Sequence, residues 1–577
     1  MIMRDMIEDI RPAMLAAMAE IGIAEDVWSG LLAGSTDATH ADVAMPCHTL
    51  AQVLRKTPVA ISDDIENALG DSLAGLANIS TVNGFLNFTA TPRWLTERVA
   101  SVVGDERLNV GFEEPRTIVI DYSSPNVAKR MHVGHLRSTV IGDALARMLA
   151  HKGHEVIGEN HIGDWGTPFG MLIEHYLDFE ELEVDDIDLS SFYKGARAKF
   201  DRDSEFAERS RNRVVKLQSR DQDTMILWRK LVNISLVHFN EVYELLGVLL
   251  TDDDLAGESK YEELLSSVVE RLEEAGMLDE SEGAAVVFAE GWVNREGEPL
   301  PLIIKKADGG FNYATTDLAC IIDRVEVIGS TEFLYVVGAE QAQHFAMVFK
   351  VAREAGFMDD SIAAIHVPFG MVLGTDGKKL ASRGGQAISL KDLLEEAIRR
   401  AEAAILEKNP ELPESELRTV AEMIGVGAVK YADLSTERTK NYVFDWNRML
   451  SFEGNTAPYL QYAHARICSI FRRANLDRES ARNASISLNH PNERSLARAI
   501  IGFAEALDDA IDSHSPHRLA TYLHGLAQSF ASFYESCPVL IAEDEGTRAS
   551  RLALCDGVAR VLENGLGLLG IDVPERM

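Results

Sequence analysis

The stretch from Asp121 to Asp143 reads DYSSPNVAKRMHVGHLRSTVIGD and directly follows the apolar run RTIVI. The apolar run predicts a strand, the Ser-Pro-Asn sequence predicts a turn, and the residues from His132 onward predict a helix. His132 and His135 are three residues apart on one helical face. Gly134 between them lets a bulky anion approach the free N–H groups of the helix N-terminus. The segment therefore suits a nucleotide triphosphate.

Two other interpretations stay open when this segment is taken alone. An isolated HxxH pattern is more often a pair of hydrogen-bonded structural histidines, and two histidines can also ligate zinc. No further zinc ligand lies at a familiar spacing nearby. A second motif is needed before the chemistry can be assigned.

Composition narrows the class of protein. At 577 residues the chain has room for roughly three or four domains. No stretch has the apolar length of a membrane span and the acidic N-terminus MIMRDMIEDI does not resemble a signal peptide, so we expect a cytoplasmic enzyme without a membrane partner. The net charge of −35 argues against indiscriminate coating of nucleic acid but leaves a specific RNA partner possible. The five cysteines form no CxxC pair, which predicts reduced, mostly buried thiols.

The pattern of apolar residues divides the chain into three predicted domains. Residues 1–105 read as an α+β module with a strand pair in ISTVNGFLNFTA, and residues 106–387 alternate strands with helices. A charged, largely helical insertion occupies about 177–292 of this second domain, and residues 388–577 read as a helix bundle. Alternation of this kind predicts parallel strands with crossover helices, and a ligand at the carboxyl ends of the strands.

The later half of the alternating region carries its own predicted elements. We expect strands in LPLIIKK, GFNY, FLYVVG and IHVPFGMVLG, and helices in TTDLACIIDRVEV and EQAQHFAMVFKVAREAG. The last strand leads into GTDGKKLASR, residues 374–383, where two glycines predict a flexible hairpin or loop and two lysines and an arginine supply positive charge. Alone, this segment is more often a solvated basic turn.

Together the two segments resemble the HIGH and KMSKS signatures of class I aminoacyl-tRNA synthetases. Within that class the chain is most similar to the arginyl-tRNA synthetases, over nearly its full length. Six further segments carry this resemblance in order: SSPNVAKRMHVGHLRSTVIGD, NHIGDWGTPFGMLI, YATTDLA, YVVGAEQAQHF, SFEGNTAPYLQYAHARI and GLGLLGIDVPERM. The resemblance implies a Rossmann-like catalytic domain, an additional N-terminal domain that contacts the tRNA near its D-loop, and a helical anticodon-binding domain.

The family implies a reaction in two steps. The carboxylate of arginine attacks the α-phosphate of ATP, which carries Mg²⁺, and the terminal ribose of tRNA(Arg) then attacks the adenylate. His132 and His135 would contact the triphosphate, Gly134 would leave room for the adenosine, Met371 would line the ATP site, and Lys379 would hold the β- and γ-phosphates. No structural metal is expected.

The sequence departs from the class signature at one position. Ser382, assigned to the ATP site, stands where the second KMSKS lysine is expected. Lys129 and Arg383 are both candidates to supply the missing charge. Lys129 is preferred, because the sequence around it matches the arginyl family's extended motif.

The substrate's guanidinium group favours a carboxylate supplemented by neutral acceptors. The resemblance favours the following arginine-binding residues: Ser124, Asn126, His135, Tyr313, Asp317 and Gln341. Two neighbours have open roles. His344 would support Gln341 or the ribose, or would be a structural histidine, and Trp165 would shape the pocket or anchor the core.

The helical domain has stacking and phosphate-binding side chains in the region that the family uses to read the anticodon. The candidate tRNA-binding residues are Tyr459, Tyr462, His464, Arg466, Arg472 and Arg473. The family makes a monomer the expected state.

Three alternatives differ in class: an RNA-binding paralogue without charging activity, a synthetase for another amino acid such as cysteine, and a general nucleotidyltransferase. A cysteinyl enzyme should carry zinc-ligating cysteines, and this sequence has none at a suitable spacing. A general nucleotidyltransferase would not explain the C-terminal helical domain.

Overall fold

The computed structural model describes residues 3–35, 41–179, 189–294, 296–307, 309–381, 388–410 and 412–577. The chain divides into two compact units, which are described separately. The first comprises Met1–Gly111, Ser451–Gly567 and Asp572–Met577, and the second Phe112–Leu450 with Leu568–Ile571. In the described parts of the chain no helix is long and apolar enough to cross a membrane. All five cysteines are buried and free, as predicted.

The N-terminal part of the first unit is an α+β module. Its elements are α1 (Met3–Glu20), α2 (Glu25–Trp28), β1 (Ala33–Gly34), β2 (Val43–Pro46), α3 (Ala51–Leu54), α4 (Pro58–Leu69), β3 (Ala77–Val82), β4 (Phe85–Ala90) and α5 (Pro92–Gly104). The four strands form an antiparallel sheet in the order β1-β2-β4-β3. The predicted strand pair is confirmed, because Asn83 and Gly84 both have positive φ, at 51° and 78°, and join β3 to β4 in a tight turn.

The second unit begins with the nucleotide-fold elements and the helical insertion. These are β5 (Thr117–Asp121), α6 (Val133–His151), β6 (Glu155–Glu159), α7 (Thr167–Leu177), α8 (Leu189–Arg202), α9 (Ser204–Gln218), α10 (Gln222–Leu246), α11 (Glu262–Glu274), β7 (Asp279–Ser281), β8 (Ala284–Val287) and β9 (Leu302–Lys305). Strands β7, β8 and β9 form a small antiparallel sheet.

The second half of this unit closes the nucleotide fold and continues into helices. It contains α12 (Tyr313–Ile322), a π turn (Asp323–Val327), β10 (Glu332–Tyr335), α13 (Ala342–Glu354), β11 (Ala363–His366), β12 (Val372–Leu373), α14 (Leu390–Lys408), α15 (Glu414–Leu434), β13 (Tyr442–Val443) and α16 (Trp446–Met449). The central sheet is parallel, in the order β11-β10-β5-β6. Its two central strands, β5 and β10, are buried along most or all of their length, as is typical of a parallel sheet covered on both faces.

Two predicted strands differ from the observed structure. The segment GFNY is not a strand, since Tyr313 is the first residue of α12 and Phe311 forms only an isolated bridge with Lys305. The predicted strand in IHVPFGMVLG is two short strands, β11 and β12. The second of these pairs with β13 instead of joining the central sheet.

The C-terminal part of the first unit is helical, as predicted. It consists of α17 (Ala457–Ala474), α18 (Pro491–Ile501), α19 (Phe503–Asp512), α20 (Pro516–Ser536) and α21 (Glu545–Leu568). Within this unit Arg498 pairs with Asp42, and Arg560 donates to the carbonyl oxygen of Val103 at 2.7 Å. The α+β module and the helices therefore pack as one body. The boundaries expected after residues 105 and 387 remain predictions.

Candidate active site

Helix α6 begins with two capping hydrogen bonds that use the rings of the two predicted histidines. His132 is the N-cap residue, and its Nδ1 accepts from the Gly134 N–H at 3.0 Å. The His132 N–H in turn donates to Nδ1 of His135 at 3.1 Å. Both Nδ1 atoms are thus occupied as acceptors, which assigns each neutral ring the tautomer with a proton on Nε2. Each ring can therefore donate a hydrogen bond from Nε2.

The surroundings keep both rings neutral. Burial, followed by the charge of His132, lowers the pKa of His135 to about 3. Burial also lowers the pKa of His132, and the charges of Lys379 and Lys129 lower it further. Both lysines act on both rings, so the structure brings Lys129 and Lys379 to the same site.

The predicted basic loop is a hairpin directly after β12. The Gly374 N–H donates to the Lys378 carbonyl oxygen at 2.7 Å, Gly377 has a φ of 74°, and Lys379 pairs with Leu373. Lys379 is exposed at the end of the hairpin. Met371, before the hairpin, is 50% exposed.

The residues that follow the hairpin return to the start of α6. Ser382 and Arg383 lie outside the described residues, and the description resumes at Ile388. The Val133 N–H donates to the Ile388 carbonyl oxygen, and the Leu390 N–H donates to that of Met131, both at 3.0 Å. The segment that begins at Ile388, beyond the hairpin, therefore pairs with the start of α6 through backbone hydrogen bonds.

The loop between β5 and α6 is backbone-strained. Ser123, Ser124 and Ala128 have positive φ, at 71°, 49° and 62°. Non-glycine residues in this region cost on the order of 1–3 kcal/mol each and cluster at functional sites. Lys129 follows directly and is exposed, with its Nζ 4.7 Å from the centroid of the Tyr193 ring.

Two predicted arginine-site residues of this loop have defined partners. The Ser124 hydroxyl donates to Oδ1 of Asp121 at 3.0 Å, and its N–H donates to Oδ1 of Asn160 at 3.1 Å. Asn126 lies against Gly163, where an added Cβ would be 2.4 Å from the Asn126 Oδ1. Glycine at 163 therefore allows the two loops to touch.

The first turns of α12 carry the other predicted pocket residues. Tyr313 is 72% exposed, and Asp317, one turn later, is partly buried. Nε2 of His344 lies 2.5 Å from Oδ2 of Asp317, so the imidazole donates to the carboxylate. None of the roles expected for His344 named Asp317, which is the partner that the structure gives it. Gln341 is exposed in a 3₁₀ turn before α13.

A carboxylate that the sequence did not single out lies at the same place. Burial raises the pKa of Glu258, His161 opposes this, and the negative charges of Asp164 and Asp317 raise it further. Glu258 therefore lies close to Asp317 in an acidic site. In the sequence it belongs to the charged run TDDDLAGESK, where no pattern separates it from solvated acids.

The loop after β6 supports this acidic site. Asp164 is buried and accepts from the N–H and hydroxyl of Ser259 at 2.9 and 2.6 Å. Trp165 stacks edge-on against Trp228, whose Nε1 donates to the Asp164 carbonyl oxygen at 2.7 Å. Trp165 thus packs as an anchor of the loop.

The six candidate tRNA-binding residues are all on α17, in the first unit. Tyr462 is 44% exposed, and Arg466 stacks on the Tyr534 ring at 4.1 Å. Arg472 donates to the Glu575 carbonyl oxygen at 3.0 Å, while Arg473 is exposed and Tyr459 lies near the His524 ring.

His464 does not share that surface. It is 2% exposed, and its Nδ1 lies 3.1 Å from the Pro574 carbonyl oxygen. Its ring therefore packs inside the helices and offers no face to RNA, because α17 is rotated with this position toward the C-terminal tail.

Comparison with known proteins connects this geometry to a family. Residues 98–446 match the family of class I tRNA synthetase catalytic domains for arginine, and residues 460–577 match the DALR anticodon binding domain. The chain is 48% identical to the arginine–tRNA ligase of Thermobifida fusca over 93% of both chains, and 46% identical to that of Shewanella woodyi over 94% of both.

Solved structures of arginyl-tRNA synthetases have the same fold as this chain. The crystal structure of arginyl-tRNA synthetase from Plasmodium falciparum superposes with a TM-score of 0.84 at 27% identity, covering 99% of both chains. The arginyl-tRNA synthetase of Thermus thermophilus gives a TM-score of 0.80 at 28% identity, covering 99% of this chain and 100% of its own.

Proposed function

The chain belongs to the arginyl-tRNA synthetase family, and we propose from this membership how its residues divide the work of the reaction. The enzyme is a class I ligase that activates L-arginine with ATP and transfers it to tRNA(Arg). The observation that carries the proposal is the helix N-terminus capped by two neutral histidines, whose pKa values burial lowers first and the charges of Lys129 and Lys379 lower further.

The start of α6 binds the triphosphate. The Nε2 protons of His132 and His135 donate to phosphate oxygens, and the ammonium groups of Lys379 and Lys129 stabilise the charge that develops as pyrophosphate leaves. A side chain at Gly134 would place its Cβ 2.7 Å from Cε1 of His132 and break the N-cap, which explains the glycine. Little covalent chemistry is asked of these residues, since positioning and charge account for the catalysis.

Lys129 takes the role of the second KMSKS lysine. Its charge lowers the pKa of both histidines, as that of Lys379 does. Arg383 remains the alternative on sequence grounds alone, and Ser382 remains a predicted ATP contact. Met371 is proposed to line the adenosine side, because it is half exposed directly before the hairpin.

The phosphate-facing groups do not form a metal site. Their donors are imidazole N–H and ammonium groups, and both imidazole Nδ1 atoms already accept backbone hydrogen bonds. This set fits an anionic phosphate and not a metal ion. Mg²⁺, which the family implies, would be held by the phosphates of ATP and would there screen their charge.

The guanidinium group of the substrate binds between Asp317 and Glu258. Burial and the neighbouring negative charges raise the pKa of Glu258, so its carboxylate gains from a cation with a planar fork of donors. Tyr313 forms one wall of this pocket and Gln341 another. At the reacting end, Ser124 and Asn126 are placed near the α-amino and carboxylate groups, beside His135.

The RNA contacts are proposed for the first unit. The half-buried Tyr459 and the exposed Tyr462, Arg466, Arg472 and Arg473 of α17 offer rings for stacking and guanidinium groups for phosphates. The α+β module is proposed to contact the tRNA near its D-loop. A monomer and a cytoplasmic location complete the proposal.

Aminoacylation and ATP–pyrophosphate exchange with each amino acid, with and without tRNA(Arg), test the proposal. We expect charging with arginine alone and exchange that depends on tRNA. Exchange with another amino acid and none with arginine would contradict it. Binding of tRNA without any charging would favour a paralogue that has lost its chemistry.

A further inference from the structure

The end of α12 carries a fully buried cation that the reaction as described does not use. Arg324 lies in the π turn that follows α12 and has no exposed side-chain surface. Its Nη2 donates to Oδ2 of Asp121 at 2.8 Å, and its Nε donates to Oε2 of Glu159 at 2.8 Å. Its guanidinium carbon lies 4.6 Å from the centroid of the Tyr335 ring.

These three partners are the last residues of β5, β6 and β10. They are also directly paired, Asp121 with Glu159 and Tyr335 with Asp121. Paired residues of a sheet point to the same side on strands about 4.8 Å apart, so two carboxylates stand next to each other at the edge where ligands bind. A planar guanidinium can bridge such a pair in a way that a single ammonium cannot.

The same network reaches both ends of the proposed arginine pocket. On one side, the free oxygen of Asp121 accepts from the Ser124 hydroxyl at 3.0 Å. On the other side, Asp317 is on α12, and Arg324 lies seven residues later in the π turn that continues directly from that helix. Asp317 is partly buried at the pocket, while Arg324 is buried against the sheet.

A second cation, Lys260, connects the turn that carries Glu258 to the same network. Nζ of Lys260 lies 2.8 Å from Oδ2 of Asp323, the residue before Arg324, and 3.6 Å from Oε1 of Glu159. Lys260 is two residues after Glu258, in the same 3₁₀ turn. The turn that carries the second pocket carboxylate is therefore tied to the same junction.

We propose that Arg324 is a positioning residue for arginine recognition. It holds α12, with Asp317, in register with the strand ends that carry the Ser124 loop, and Lys260 holds the Glu258 turn to the same point. This inference rests on the proposed arginine site. Arg324 does not touch the substrate. It acts by fixing the relative positions of the residues that do.

Arg324→Lys tests the inference, because lysine keeps the charge but loses the bridge. We expect KM for arginine in aminoacylation to rise about tenfold while KM for ATP stays within twofold. Arg551→Lys is the matched control, since Arg551 is also buried and donates to Glu493 at 2.8 Å in the helices of the first unit. It should lower Tm without changing either KM.

Lys260→Met provides a milder second variant, since this side chain is 40% exposed and its loss leaves Arg324 in place. We expect a rise of about threefold in KM for arginine alone, and this variant decides the matter if Arg324→Lys does not fold. Unchanged arginine KM in the folded variants, or an equal rise for ATP, overturns the inference. Asp317→Asn is measured alongside: if it too leaves arginine KM unchanged, the proposed arginine site fails, whereas a rise there alone defeats only the role of Arg324.

Discussion

Arg137 in α6 and Asp433 in α15 form a buried ion pair, with Nε and Oδ1 3.2 Å apart and 1% and 0% of the side chains exposed. Arg137 also donates from Nη1 to the Lys440 carbonyl oxygen at 2.9 Å. The next residue, Asn441, accepts from the Met371 N–H at 2.7 Å. The helix that starts with the two histidines is thus connected to the strand that leads into the lysine hairpin.

This connection predicts a defect on the ATP side. Arg137→Lys keeps a charge beside Asp433 but shortens the bridge to Lys440, so the hairpin that carries Lys379 should lose its fixed position. We expect KM for ATP to rise about tenfold and KM for arginine to change less than twofold, both measured in aminoacylation. A change in arginine KM as large as that in ATP KM would instead indicate a general loss of fold.

Asn441→Ala tests the position of the lysine hairpin separately from the stability of the fold. Asn441 is exposed, so removing its amide deletes the hydrogen bond to Met371 at little cost to the core. We expect ATP KM to rise two- to fivefold with Tm lowered by no more than about 2 °C, read by differential scanning fluorimetry. An unchanged ATP KM would show that the backbone pairing of β12 with β13 alone places the hairpin.

Asp317→Asn should impair arginine binding selectively. The substitution preserves size but removes the charge that the substrate's guanidinium meets, and pairs of this kind contribute on the order of 2–3 kcal/mol, or about 30- to 150-fold in KM. Glu263→Gln is the control, because Glu263 is a neighbouring acid that is 77% exposed and pairs with Arg220. Equal losses for arginine and ATP would point to a folding defect.

The low pKa of His135 predicts a pH-dependent contribution to stability. The pKa of His135 is about 3 in the folded chain, against 6.5 for an unperturbed histidine in the unfolded chain. Between these two values the unfolded chain binds a proton at this ring and the folded chain does not. The contribution of the neutral ring is therefore complete above pH 6.5 and is lost progressively as the pH falls toward 3. His135→Asn, which keeps an acceptor and does not titrate, should show a Tm deficit at pH 7.5 that narrows at pH 5.0. An identical deficit at both values would contradict a buried neutral imidazole.

Local patterns in the sequence predicted the elements that local chemistry determines. The apolar run before Asp121, the Asn83-Gly84 turn and the Gly374–Lys379 hairpin each depend on residues within a few positions, and each is present in the structure. The parallel order of the sheet followed from the alternation of strands and helices.

Features that depend on distant packing were not predictable in this way. The strand expected at GFNY is the start of α12, because residues after it pack against the sheet and only a bridge at Phe311 remains. The pKa of Glu258 is raised by its burial and by the charges of Asp164 and Asp317, which only the folded chain brings near it, and His464 is buried only because the C-terminal tail packs against it. Arg324 reads as an ordinary helix-end cation until three strand ends converge on it.

We propose that α6 and the hairpin form one adenylate-forming site in which Lys129 replaces the missing second lysine. The direct test is the single-turnover rate of arginyl-adenylate formation, with tRNA present, in Lys129→Ala, Lys379→Ala and Arg383→Ala, with the exposed Lys194→Ala on α8 as control. We predict that the first two slow the step by about 10²–10³ with arginine affinity unchanged, as loss of a transition-state donor does, and that the other two stay within threefold. A slow Arg383→Ala enzyme together with a near-normal Lys129→Ala enzyme would contradict the account.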